Sequence, residues 1–115
     1  MSARPADFID RVGAECVWTV AGESLMAGTY AGREAILAFF RRTQELTDGT
    51  YGVELNWELD DGERQVTYCR ARGRRPDGRE LDLDQALVCR LDGEGRWVEV
   101  RALPYDQAVF DAFWS

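Results

Sequence analysis

The sequence predicts an α+β domain in which helices lie against one face of an antiparallel sheet. Three observations carry this expectation. The stretch from Arg33 to Leu46 has helical periodicity, the second half of the chain holds strand-like runs, and short turn sequences join those runs as hairpins. Near the N-terminus, Phe8, Ile9 and Val12 keep helical spacing after Pro5, so a short helix is expected over 5–13, stopped at Gly13. Cys16 to Val20 is β-branched and aromatic, a strand ended by Ala21-Gly22, and Gly28 to Gly32 is a short extended piece between glycines. In the helix from Arg33 to Leu46, Ile36, Leu37, Phe39, Phe40 and Leu46 form one apolar face; Arg41 and Arg42 lie opposite, and Asp48-Gly49 closes it.

Val53, Leu55, Trp57 and Leu59 alternate with Glu54, Asn56 and Glu58, the pattern of a half-buried strand. Asp60-Asp61-Gly62 turns into a strand from Arg64 to Arg74, and Arg75-Pro76-Asp77-Gly78 suits a type I turn. A third strand runs from Glu80 to Leu91, and Asp92 to Gly95 leads into a fourth, Arg96 to Leu103. A short C-terminal helix with Val109, Phe110 and Phe113 follows Pro104. Register then sorts the side chains by face. Closing the central hairpin symmetrically on Pro76-Asp77 pairs Arg70 with Leu83, Tyr68 with Gln85 and Val66 with Leu87; closing the last pairs Leu87 with Val100 and Gln85 with Ala102. The face that helices cover thus collects Trp57, Val66, Tyr68, Arg70, Leu83, Gln85, Leu87, Cys89, Val98, Val100 and Ala102. The opposite face mixes Val88, Trp97 and Leu103 with Asp82, Asp84, Glu99 and Arg101, more apolar than a solvated sheet needs. A homodimer through Val88, Trp97, Arg101 and Leu103 is expected.

The chain of 115 residues suffices for one core and is too short for two. Its net charge of −7, with every cation an Arg, sets it against phosphate backbones and anionic membrane surfaces, so neither nucleic acid nor membrane is an expected partner. No apolar run approaches the roughly 20 residues of a membrane helix, and Met1 to Asp7 lacks the apolar stretch of a secretion signal, so a cytoplasmic protein is expected. The absence of His excludes Ser-His-Asp and Cys-His machinery, and the absence of Lys excludes Schiff-base chemistry. Cys16, Cys69 and Cys89 are isolated and odd in number, which reads as buried reduced thiols. Chemistry is left to carboxylates, Arg, Tyr and backbone. No cofactor is expected, and Asp82 and Asp84 without further ligands make no metal site.

The candidate residues follow from the faces. Glu23, in the loop after the first strand, is a general acid or base if apolar walls raise its pKa, and otherwise an exposed loop carboxylate. Tyr68 and Gln85 either orient a ligand carbonyl or hydroxyl or satisfy each other in the core. Arg70 reaches the rim or pairs with a carboxylate such as Glu23 or Glu54. Trp18, Tyr30, Phe40 and Trp57, with Leu87, Val100 and Ala102, give the interior its apolar bulk.

Three stretches also carry a family resemblance. Trp18 to Gly22 with Leu25, Ala27 to Tyr30 and Gly32-Arg33-Glu34 resembles W-H-V-P-G … L-A-G-x-Y-x-G-R-E. Arg90 to Val98 resembles R-F-x-x-x-G-K-V-V, and Arg101-Ala102-Leu103 continues it. These look like the SnoaL-like and ketosteroid-isomerase-like group of the nuclear transport factor 2 superfamily, over one domain spanning 1–115. The resemblance implies a strongly curved sheet whose concave face, roofed by helices, forms a cone-shaped apolar pocket. It implies a small hydrophobic ligand of polyketide-, terpenoid- or steroid-like kind, turned over by isomerase, cyclase, dehydratase or epoxide-hydrolase chemistry, or else held by a non-catalytic homodimeric binder.

The family's functional positions carry over incompletely. The carboxylate base of the steroid isomerases falls at Gly22 or Glu23, but their oxyanion Asp falls at Leu87. Their oxyanion Tyr sits on a long first helix that would lie before this chain's start. The E-H-W-D run of the cyclases is replaced by Glu99-Val100-Arg101-Ala102.

Overall fold

The computed structural model describes residues 2–115, less the side chains of 2, 3 and 6. Its strands are β1 (Ser2–Ala3), β2 (Val12–Val20), β3 (Gly28–Ala31), β4 (Gly52–Asp60), β5 (Arg64–Arg74), β6 (Glu80–Leu91) and β7 (Trp97–Pro104). Its helices are a 3-10 helix over Pro5–Arg11, α1 (Arg33–Leu46) and α2 (Gln107–Trp114). The strands form one mixed sheet in the order β1-β4-β5-β6-β7-β2-β3. Neighbours are antiparallel except β2, which runs parallel to β7.

The N-terminal helix is shorter and tighter than its apolar spacing predicts. It ends at Arg11 because Val12 already pairs with Trp97 in the sheet. Gly13 does not stop a helix. A Cβ there would lie 3.0 Å from the Trp97 carbonyl oxygen, so the residue permits close approach of β2 to β7. In α1 the buried residues Ile36, Phe40 and Thr43 recur at helical spacing on the face turned to β2 and β3. Asp48 (φ 52°) and Gly49 (φ 77°) end the helix, and the Gly49 N–H donates to the Gln44 carbonyl at 2.8 Å.

At its start α2 is capped by Asp106, whose carboxylate accepts from the Val109 N–H at 3.1 Å. Its end is held by the turn between β5 and β6. Arg75 Nη1 donates to the Phe113 carbonyl and Arg79 Nη1 to the Ala112 carbonyl, each at 2.8 Å. Both guanidiniums meet the negative end of the helix dipole. The buried Phe110, Phe113 and Trp114 are thereby pinned against the sheet.

The register of the central hairpin differs from the symmetric closure by one residue. Arg70 pairs with Asp84, Tyr68 with Ala86 and Thr67 with Leu87. Gly78 is the cause. At φ 97° it adds a residue to the turn beyond the Arg75–Gly78 hydrogen bond of 2.9 Å. One residue of slip exchanges the faces of β5, so Thr67, Cys69 and Ala71 are buried on the inner side. The last hairpin closes two residues away from the predicted pairing, Leu87 opposite Ala102 and Cys89 opposite Val100, which leaves the faces unchanged.

Two irregularities bend the sheet. Between Leu55 and Trp57 the pairing with β5 shifts at Asn56, and between Arg90 and Leu91 the pairing with β7 shifts at Val98. Each moves an aromatic residue to a face other than the expected one. Trp57 turns outward, 46% exposed, while Trp97 turns inward and is fully buried against Phe8 and Trp18. The result is a strongly curved sheet whose concave side is roofed by α1, α2 and the 3-10 helix.

Candidate functional site

A cavity of about 40 Å³ lies under that roof. From β2 come Trp18 and Val20, alternate residues of one strand face. From α1 come Phe39, Phe40 and Thr43, one helical turn of the apolar stripe. Leu87 and Gln85 of β6 and Ala102 of β7 form the floor, and Pro5, Phe8, Tyr51, Val53 and Phe110 complete the wall.

The inventory of polar groups is short. Thr43 is buried and its hydroxyl donates to the Phe40 carbonyl at 2.6 Å. Gln85 is buried beside Tyr51. Burial pushes the Tyr51 hydroxyl above its ordinary value, the Cys69 thiol adds to the rise, and the Gln85 amide draws it back. The indole nitrogen of Trp18 is enclosed and has no hydrogen-bond partner among the described residues. Among the described residues, no carboxylate and no guanidinium belongs to the wall.

Of the predicted pocket residues, Trp18, Phe40, Gln85, Leu87 and Ala102 line the cavity. Val100 is fully buried in the core, paired with Trp18 and Cys89, but lies behind the lining. Tyr30 is half-buried outside it. The Tyr30 ring packs 4.5 Å from that of Phe39 and its hydroxyl donates to the Met26 carbonyl at 2.7 Å. Glu23 is exposed in the loop after β2 and is not part of the wall.

Three further expectations are corrected. Trp57, Tyr68 and Arg70 stand on the outer face, Trp57 because of the Asn56 irregularity and the other two because of the Gly78 register. Tyr68 donates to Asp84 Oδ2 at 2.8 Å, a bond that raises the phenol's pKa and holds the carboxyl below its ordinary range. Arg70 pairs with Asp82 at 2.6 Å and Asp84 at 3.0 Å rather than with Glu23 or Glu54. Among the residues expected at a dimer interface, Val88, Arg101 and Leu103 are exposed on the outer face, whereas Trp97 is in the core. There its indole N–H donates to Gln65 Oε1 at 2.8 Å and the Arg11 guanidinium sits 5.5 Å from its ring.

Tyr51, Thr43 and Phe110 escaped the sequence reading as wall residues. Tyr51 precedes β4 in what resembles a turn, and its place depends on a distant glycine. A Cβ on Gly73 would lie 3.2 Å from the Tyr51 Cα, so the glycine eases the close approach of Tyr51 to β5, one residue beyond the Gly52–Arg72 pair. Thr43 reads as a helix residue of no fixed face until α1 is docked.

The SnoaL-like domain model matches residues 2–100. No curated protein matches the chain. Among solved structures, Bal32a from a soil-derived mobile gene cassette is 32% identical, with a TM-score of 0.85 over 92% of this chain and 80% of that one. An NTF2-like protein of Burkholderia thailandensis E264 is 26% identical, TM-score 0.81, covering 96% and 85%. A protein from Catenulispora acidiphila DSM 44928 with a ketosteroid isomerase-like fold, solved in complex with trimethylamine, is 16% identical, TM-score 0.77, covering 96% and 82%. With the family model spanning most of the chain and solved relatives sharing its backbone architecture, this protein belongs to the SnoaL-like domain family and has the NTF2-like, ketosteroid isomerase-like fold.

Proposed function

We propose that the protein holds one compact, largely hydrophobic molecule in the cavity between Trp18, Phe40 and Leu87, and acts as a cytoplasmic homodimer in which the 115 residues form one domain. The observation that carries this reading is the wall itself. Among the described residues it is apolar but for Thr43, Tyr51, Gln85 and the Trp18 indole, and it includes no carboxylate. Such a wall rewards burial of apolar ligand surface by about 25 cal/mol per Å². Volume limits the ligand. At about 40 Å³ the cavity is smaller than the roughly 150 Å³ that admits benzene in an engineered core. A steroid- or polyketide-sized molecule therefore requires the roof to part.

A thermal-shift and calorimetric screen of small hydrophobic metabolites tests the reading, with Ala102→Leu as the blocking variant. Ala102 is buried on the floor, so the added methyl groups occupy ligand space. Loss of binding in a folded Ala102→Leu protein is the expected result. Unchanged binding would place the ligand elsewhere.

A catalytic version keeps Glu23 as general acid or base, and its support is that Glu23 lies in the loop after β2, three residues beyond the wall residue Val20. Glu23→Gln decides it. Turnover that persists unchanged removes the carboxylate from the mechanism and leaves the binding function.

A further inference from the structure

Resting on the pocket reading above, we infer that the molecule in the cavity is uncharged and carries a hydrogen-bond acceptor that takes the indole N–H of Trp18. Trp18 is 95% buried in the wall, being 5% exposed, and its Nε1 has no acceptor among the described residues. The buried Trp97 shows the usual arrangement, with its N–H given to Gln65. Buried N–H groups in native proteins find partners because an unmade bond carries the full desolvation cost.

The rest of the wall sets the charge. The Thr43 hydroxyl is spent on the Phe40 carbonyl, and the remaining polar groups, the Tyr51 phenol and the Gln85 amide, are neutral. A cation or an anion entering there finds no counter-charge and loses its hydration. A pure hydrocarbon leaves the Trp18 N–H bare. A compact ketone, aldehyde, ether or ester satisfies both conditions.

The test uses probes of one size. Acetone supplies the acceptor; 2-methylpropene has the same shape with a methylene in place of oxygen; trimethylammonium and acetate are the cation and the anion. Each is titrated into the protein while ¹H–¹⁵N spectra follow the four indole N–H signals and ¹H–¹³C spectra follow the methyls of Val20 and Leu87. Acetone should move the Trp18 indole N–H saturably and bind about fivefold or more tightly than 2-methylpropene, the difference one net hydrogen bond makes. The two ions should bind at least tenfold more weakly than acetone. In Trp18→Phe the enlarged wall alters both affinities, but the preference for acetone over 2-methylpropene should disappear.

Equal binding of acetone and 2-methylpropene to the natural protein would overturn the inference, a comparison that needs no variant to fold. So would an ion binding as well as acetone, or a preference for acetone over 2-methylpropene that survives in Trp18→Phe. In those cases the methyl signals would still report an occupied cavity. If no probe moves the Val20 and Leu87 methyls, the pocket reading itself is wrong.

Discussion

The ring of Trp57 lies on that of Tyr68, with centroids 5.2 Å apart and planes within 3° of parallel, on the outer side of the sheet and away from the cavity. The pair forms one end of an apolar surface that includes Leu59 (68% exposed), Val88 (37%) and Leu103 (49%). Beside it run the Arg70 pairs with Asp82 and Asp84, partly exposed and so worth little to stability. An exposed apolar patch with a charged rim suits a second copy of the chain.

Leu103→Asp should therefore convert a dimer into a monomer without unfolding it, because Leu103 is half exposed in the single chain. Sedimentation velocity at micromolar concentration checks this. A natural protein that already sediments as one chain contradicts the expected interface.

Leu87→Ala should lower stability by about 2–5 kcal/mol, as for other buried leucines, since Leu87 is only 3% exposed. It should also enlarge the cavity enough to admit benzene, which the natural protein excludes. Urea unfolding with and without saturating benzene measures both effects. A variant that benzene does not stabilise would mean the site collapses on truncation.

Alkaline pH should weaken the fold from about pH 9 upward. Burial raises the thiols of Cys16 and Cys69 to about 11 and that of Cys89 to about 12, against an ordinary value of 9.0. Above pH 9 the unfolded chain releases these protons first, so the stability present below pH 9 is lost as pH climbs toward 11–12. The slope is at most about 1.4 kcal/mol per thiol per pH unit. Tyr51, raised further, steepens the fall above pH 10. Denaturant titrations from pH 8 to 11 should show the decline, and it should be shallower in a folded Cys69→Val, Cys89→Val protein.

Much of the fold is legible in the sequence because it rests on local patterns. The limits of α1, β5 and β6 coincide with those read from periodicity and turn residues, and Leu87, Gln85 and Ala102 share the inner face as expected. What was hidden depends on single residues that alter phase. Gly78 adds one residue to a turn and sends Tyr68 and Arg70 outward; Asn56 does the same to Trp57; the shift near Val98 brings Trp97 inward. Alternation alone cannot register such insertions, since both phases look equally regular. The parallel pairing of β2 with β7 and the close approach of Tyr51 to Gly73 are long-range contacts with no local signature.

A crystal held under xenon pressure tests the central claim most directly. Xenon occupies apolar cavities without needing a polar partner, and its electron density should appear among Trp18, Phe40, Leu87 and Ala102, on the concave side of the sheet. Density confined to other sites, or none at that position, would contradict an apolar chamber under the helices.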